Sequence, residues 1–181
     1  MFIIGVDFRY HCKVANFPVK ATKFMEIVLR VMGRTSEKYL QTGMAEYEKR
    51  LKRYVKFSME EIPDLKGMKN RDSQAQNQLE GEALLKNVLS TDFVVLLDEN
   101  GKRYKSRAFA NQLQKWMNAG PSRIVFLVGG PFGFSPEVYD RAQAQLSLSD
   151  MTFSHQMIRL FFTEQIYRAF TILRNEPYHH D

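Results

Sequence analysis

Three clusters in this 181-residue chain are built from residue types that do chemistry. The first is Val128-Gly129-Gly130-Pro131-Phe132-Gly133-Phe134-Ser135-Pro136, where an apolar run stops and a helix is about to begin. Paired glycines at such a junction let a backbone approach a ligand closely or take a positive φ. The spacing is not that of a dinucleotide fingerprint, and the lysine of a phosphate loop is missing. A tight turn that simply needs glycine fits the fragment equally well. The second cluster, Leu146-Ser147-Leu148-Ser149-Asp150-Met151-Thr152-Phe153-Ser154-His155-Gln156, reads as a short strand, a polar loop and the entry to a long helix. The third is basic and aromatic. His155 and Arg159 are four apart and share a helix face, Arg168 follows Tyr167, and the chain closes with Pro177-Tyr178-His179-His180-Asp181. A tyrosine and histidines can stack on a base or move a proton. A frayed tail has the same composition. The adjacent histidines have no supporting ligands elsewhere, so no metal is expected. No serine–histidine–acid, zinc or paired-carboxylate arrangement stands out.

The elements that must hold these clusters follow from periodicity. Residues 25–32 form an apolar strand pattern ended by Gly33. Thr35-Ser36-Glu37 opens a helix, with Ser or Thr as N-cap, that runs through Tyr39, Leu40, Met44, Tyr47 and Leu51. A strand over 55–62 stops at Pro63, a basic loop carries Lys66, Lys69 and Arg71, and a helix covers 73–89. Residues 93–98 are a continuous apolar run, as in a buried parallel strand, and Asn100-Gly101 reads as a turn. Ser106 caps a helix whose Phe109, Leu113, Trp116 and Met117 fall on one stripe. A buried strand over 123–128 leads to Ser135-Pro136-Glu137, a strong helix entry. A last short strand covers 146–148. The helix over 156–173 is apolar on most faces, so it is buried, and a second copy of itself is a natural partner. Alternating strands and helices predict an α/β fold, a mostly parallel sheet flanked by helices. Residues 1–24 lack a clear period beyond residues 2–6. They read either as an upstream extension before a start at Met25 or as an extra strand or arm, with the domain proper over 25–181.

Composition narrows the class further. With 44% hydrophobic and 25% charged residues the chain is ordinary for a globular protein. No run approaches the roughly 18 apolar residues of a membrane span, so a cytoplasmic location is expected. The single cysteine, Cys12, makes neither an internal disulfide nor a cysteine zinc site. The net charge of +6 leans toward polyanionic partners such as RNA.

Taken in order, the clusters carry a resemblance. The strand at residues 94–98, the Gly-Gly-Pro turn, the Leu-Ser-Leu-Ser-x-Met-Thr-Phe-x-His-Gln-Met-x-Arg run, the Glu-Gln-x-Tyr-Arg-Ala helix and the Pro-Tyr-His end resemble the ribosomal RNA large subunit methyltransferase H family, small members of the SPOUT methyltransferases. Gly33, Glu46-Tyr47-Glu48-Lys49-Arg50-Leu51 and Ile62-Pro63 fit it too, so it spans residues 25–179. The resemblance implies a C-terminal trefoil knot, a rare exception to ordinary topology. It also implies bound S-adenosylmethionine and no metal, because the sulfonium already activates the methyl group. It places the cofactor against Leu97, Gly129, Leu148, Ser149, Asp150, Met151, Thr152 and Phe153. The implied reaction is N3 methylation of a pseudouridine in helix 69 of 23S rRNA on the assembled ribosome.

That reaction must remove an imide proton and align the nitrogen behind the methyl group. Arg159, Tyr178 and His179 are the candidates: a cation near the imide lowers its pKa, and a neutral histidine accepts the proton. The tail departs from the family pattern in ending His179-His180-Asp181, without a basic residue directly after the histidine, and Phe132 occupies a variable place in the turn. Without a separate RNA-binding domain, a homodimer surface must hold the RNA, with residues 66–71 and 103–107 as candidates. Other readings are a SPOUT enzyme acting on tRNA, a non-catalytic ribosome-assembly factor, and an unrelated α/β nucleotide-binding module.

Overall fold

A computed structural model of the chain describes residues 25–65 and 72–179. The readings made for residues 1–24 and for the basic loop at 66–71 lie outside the described residues. Among the described residues, five strands alternate with five helices. These are β1 (Glu26–Met32), α1 (Lys38–Leu51), β2 (Lys56–Ile62), α2 (Ser73–Leu85), β3 (Phe93–Arg103), α3 (Ser106–Asn118), β4 (Arg123–Val128), α4 (Pro136–Arg141), β5 (Ala144–Ser147) and α5 (Met157–Leu173). The strands form one sheet in the order β2-β1-β4-β3-β5, and every pairing between them is parallel. The expected parallel α/β architecture is therefore what the chain adopts.

Hydrophobic burial explains the order. β1 and β4 sit inside the sheet and are apolar on both faces, so nearly every residue of each is buried. β2 lies at an edge and is correspondingly more polar. Alternate residues of β1 feed two cores. Ile27, Leu29 and Val31 pack with Phe109 and Leu113 of α3 and Phe162, Ile166 and Phe170 of α5. Val28 and Met32 face Leu84 of α2 and Val138 of α4. The molecule is thus α1, α3 and α5 on one face of the sheet and α2 and α4 on the other.

Two ion pairs, each with one buried partner, brace this packing. Arg30 donates to Glu60 Oε2 at 2.8 Å and to the Leu84 carbonyl at 2.9 Å, satisfying an acceptor at the end of α2. Asp92, 3% exposed, pairs with Arg123 and accepts from the Leu89 amide at 2.8 Å. Burial by itself works to raise the Asp92 pKa, but Arg123, the Leu89 amide and Arg141 outweigh it and hold the carboxyl below its ordinary 3.8. A carboxyl depressed in the folded state contributes stability above its unfolded pKa, and that contribution is lost as pH falls through the folded value. Asp92→Asn should therefore cost about 3 kcal/mol at neutral pH. Urea unfolding should show the gap from wild type constant at neutral pH and shrinking below about pH 4.

Three local expectations need correction. The pair Asn100-Gly101 is not a turn: β3 runs on to Arg103, with a register shift against β5 between Leu97 and Lys102. Gly101 permits this, because a Cβ there would lie 2.6 Å from the Leu146 backbone. The caps of α1 and α3 are Glu37 and Lys105, not the preceding Ser/Thr pair or Ser106. The amide of Ser36 is instead satisfied by Gln156 Oε1 at 2.9 Å, a side chain from the far end of the sequence. The helix expected over 73–89 stops at Leu85, and Asn87 takes a positive φ of 66° just beyond it.

Candidate functional site

The carboxyl ends of β4 and β5 and the middle of β3 open onto a crevice of about 690 Å³, the place where ligands bind in open parallel sheets. One wall is the middle of β3, Leu97 to Asn100, where its register against β5 shifts. The second is the glycine turn after β4. Gly133 takes φ +78°, Gly130 and Gly133 form a bridge, and a Cβ on Gly129 would lie 2.6 Å from the Gly133 carbonyl oxygen. The glycines are therefore needed for the turn itself, and the same turn presents bare backbone to the crevice. The third wall is the loop from Ser147 to His155, closed by Ile158.

That loop is shaped by its own short side chains. The Ser149 hydroxyl accepts from the Met151 amide at 2.9 Å, and the Ser154 hydroxyl from the Met157 amide at 3.1 Å. Phe153 stacks on Phe161 of α5, ring centroids 5.0 Å apart. Leu97, Gly129, Leu148, Ser149, Met151, Thr152 and Phe153 all line the crevice. Asp150 does not. Its carboxylate turns outward to Arg103 at 2.6 Å, where both side chains are largely exposed. Inside, Tyr139 donates to Asp98 Oδ2 at 2.6 Å. Burial and the Asp98 carboxylate push that phenol up to about 12, so it stays a donor at neutral pH.

The basic and aromatic cluster gathers elsewhere. Tyr178 packs edge-on against Tyr167, ring centroids 4.7 Å apart, and its hydroxyl donates to Glu164 Oε1 at 3.0 Å and lies 3.3 Å from Tyr47 Oη. Burial first, then Tyr47 and Glu164, raise its pKa well above the usual phenol value. It is a donor, not a base. Arg168 lies over the Tyr178 ring at 4.8 Å and reaches His179 Nδ1 at 3.4 Å. A guanidinium has only donors, so Nδ1 is the accepting nitrogen in that contact. Burial works to lower the Arg168 pKa and the Glu164 carboxylate more than restores it, so the residue is firmly cationic.

Arg159 is not part of this cluster. It is fully buried and donates to the Met32 and Gly33 carbonyls at 2.5 and 3.1 Å and to Thr35 Oγ1 at 2.8 Å, with Glu61 at 3.7 Å. Nor does it share a helix face with His155, which precedes α5 and offers Arg159 only its backbone carbonyl, at 2.9 Å. The guanidinium pins the end of β1 to the start of α5. Arg159→Ala should cost about 3–5 kcal/mol, the loss typical of a broken buried charge network, which urea unfolding will read directly. Arg168 is the basic residue that the structure sets beside Tyr178 and His179. One signal for it was legible: Glu164 and Arg168 are an i,i+4 pair, closed here at 2.6 Å.

Fold and site thus define a parallel α/β protein with a backbone-lined crevice at the strand ends and a separate basic–aromatic cluster. Among the described residues, no group of three His, Cys, Asp or Glu side chains could hold a metal ion, and no helix is long and apolar enough to cross a membrane. Residues 25–179 match the family model described as "Predicted SPOUT methyltransferase". A "Ribosomal RNA large subunit methyltransferase H" from Christiangramia forsetii is 57% identical over 156 residues, covering 86% of this chain and 99% of the relative. Proteins of the same description from Flavobacterium johnsoniae and Bacteroides thetaiotaomicron are 54% and 49% identical, covering 86–87% of this chain and 99–100% of theirs. The chain belongs to the SPOUT methyltransferases, in the ribosomal RNA large subunit methyltransferase H family, and is an S-adenosylmethionine-dependent methyltransferase of that group.

Proposed function

We propose that this protein methylates N3 of a pseudouridine in helix 69 of 23S rRNA on the assembled ribosome, acting in the cytoplasm as a homodimer with a C-terminal trefoil knot. The observation that carries the reading is the crevice itself. Its glycine wall offers main chain to a nucleoside, Leu97, Leu148 and Phe153 offer apolar faces to an adenine, and Asp98 brings a carboxylate. These features suit S-adenosylmethionine, whose sulfonium supplies an activated methyl group. Leu97, Gly129, Leu148, Ser149, Met151, Thr152 and Phe153 would hold it, with Asp150 at the rim.

The proton-handling residues do not reach the crevice within one chain. Ile158 lines the crevice, and Arg168 lies ten residues further along α5, about 15 Å at helical rise. A second copy, packed through the apolar outer surface of α5, resolves this by setting one chain's tail over the other's crevice. Phe161, 36% exposed in the second turn of α5, is the kind of residue such packing would cover. There Arg168 and Tyr178 turn from His179 and Glu164 to the base: the freed Nδ1 of His179 accepts the imide proton, Arg168 stabilises the developing anion, and the Tyr178 hydroxyl donates to a carbonyl of the base. Arg159 contributes by holding the backbone at the start of α5.

Methyl transfer from labelled S-adenosylmethionine to ribosomes, free rRNA and tRNA, run in parallel, tests the reading. Label confined to ribosomes and mapping to N3 of pseudouridine supports it. Equal labelling of tRNA, or none anywhere, defeats it.

A further inference from the structure

We propose that Glu80 is a specificity residue of the crevice, whose carboxylate selects the positively charged methyl donor over the neutral-sulfur product. The proposal rests on the methyl-donor reading above and adds to it a residue outside the crevice lining.

Glu80 lies on α2, behind the glycine turn. It is 7% exposed. Its Oε1 accepts from Gln76 Nε2 at 2.7 Å, but its Oε2 is buried with no hydrogen-bond partner. Buried carboxylate oxygens without partners are rare and costly, so each calls for an explanation. The direction of Oε2 supplies one. A Cβ on Gly130 would lie 2.1 Å from it, so only the bare glycine separates the carboxylate from the crevice that Gly130 lines. The turn is held in that position from the same helix, since Asn77 Nδ2 donates to the Phe132 carbonyl at 2.8 Å.

The surroundings are acidic although the chain as a whole carries +6. Asp98 and Glu99 line the crevice opposite. Arg103, near the rim, is paired with Asp150. A ligand bearing positive charge at its reacting centre therefore meets carboxylates from both sides, of which Glu80 is buried and so the least screened by water. The donor carries a sulfonium, and the product left after methyl transfer carries a neutral thioether. The chain thus gains affinity for what it must bind and loses it for what it must release. Glu80 forms no bond to the reacting atoms and acts through space across the turn.

The test is calorimetric titration of the full chain and of Glu80→Gln with S-adenosylmethionine and with S-adenosylhomocysteine. The expected result is an approximately ten-fold loss of donor affinity in the variant, with product affinity changed less than about two-fold. Equal losses for both ligands would make Glu80 a support of the turn and overturn the proposal. So would no loss for either. If Glu80→Gln does not fold, Glu80→Asp serves, because it keeps the charge. It must then retain the wild-type preference for donor over product, and loss of that preference contradicts the inference. Wild-type protein that binds neither ligand would defeat the methyl-donor reading and this proposal together, an outcome distinct from a normal wild type with an indifferent variant.

Discussion

Deleting residues 178–181 should lower methyl transfer to ribosomes by about 10²–10⁴-fold, the range that general acid–base groups contribute, while donor affinity stays within about two-fold of wild type. The deletion removes the Tyr178 hydroxyl, bonded to Glu164, and the His179 ring beside Arg168. It leaves the crevice walls of each chain in place, since among the described residues none beyond Ile158 lines the crevice of its own chain. Single-turnover transfer and calorimetry on the same preparation separate the two effects. Tyr178 also packs against Tyr167, so a thermal melt must accompany the assay to show that the truncated chain remains folded. Unchanged transfer with intact donor binding would remove the tail from the mechanism.

The second large effect is expected at Gly129. A Cβ there would meet the Gly133 carbonyl oxygen at 2.6 Å and its carbon at 3.2 Å. Both are backbone atoms, so no side-chain rotation relieves the clash and the turn has to open. Gly129→Ala should weaken donor binding at least about 100-fold, or roughly 3 kcal/mol. The sheet should survive, because β4 ends at Val128 and its register with β1 and β3 lies upstream. Calorimetry should show the affinity loss, and far-UV circular dichroism an unchanged spectrum. Donor binding equal to wild type would mean that this turn does not shape the site.

The fold was legible wherever one local signal sufficed. Continuous apolar runs identify the buried strands β1, β3 and β4, because a parallel strand covered on both faces has no polar side to display. The Phe109, Leu113 and Trp116 stripe identifies α3 for the same reason, and all three are buried. Features settled by distant contacts were not legible. Asn100-Gly101 has turn composition, yet the strand continues because Gly101 lets the Leu146 backbone approach. The start of α1 looks self-capped by Thr35 and Ser36, but Gln156 supplies the acceptor.

The site divides along the same line. The glycine turn and the following loop could be placed by sequence order and family pattern, and the structure sets them around one crevice. The spacing of His155 and Arg159 predicts a shared helix face, but α5 begins at Met157, after His155. Arg159 and Arg168 are nine residues apart, two and a half turns, and so point to opposite sides of the helix. Periodicity alone shows that only one of them can face a given partner. Burial decides which: Arg159 is 0% exposed and bound to backbone, and Arg168 faces the tail. Glu80 gave no local signal, because an acid on a polar helix reads as solvated until the turn packed against it is known.

Most directly decisive is a crystal structure of the wild-type chain grown with S-adenosylmethionine. Donor density lying against Gly129 and between Leu97 and Leu148, once per chain, is the outcome expected here. A crevice that stays empty at saturating donor, or donor bound elsewhere on the molecule, would contradict the assignment of this site.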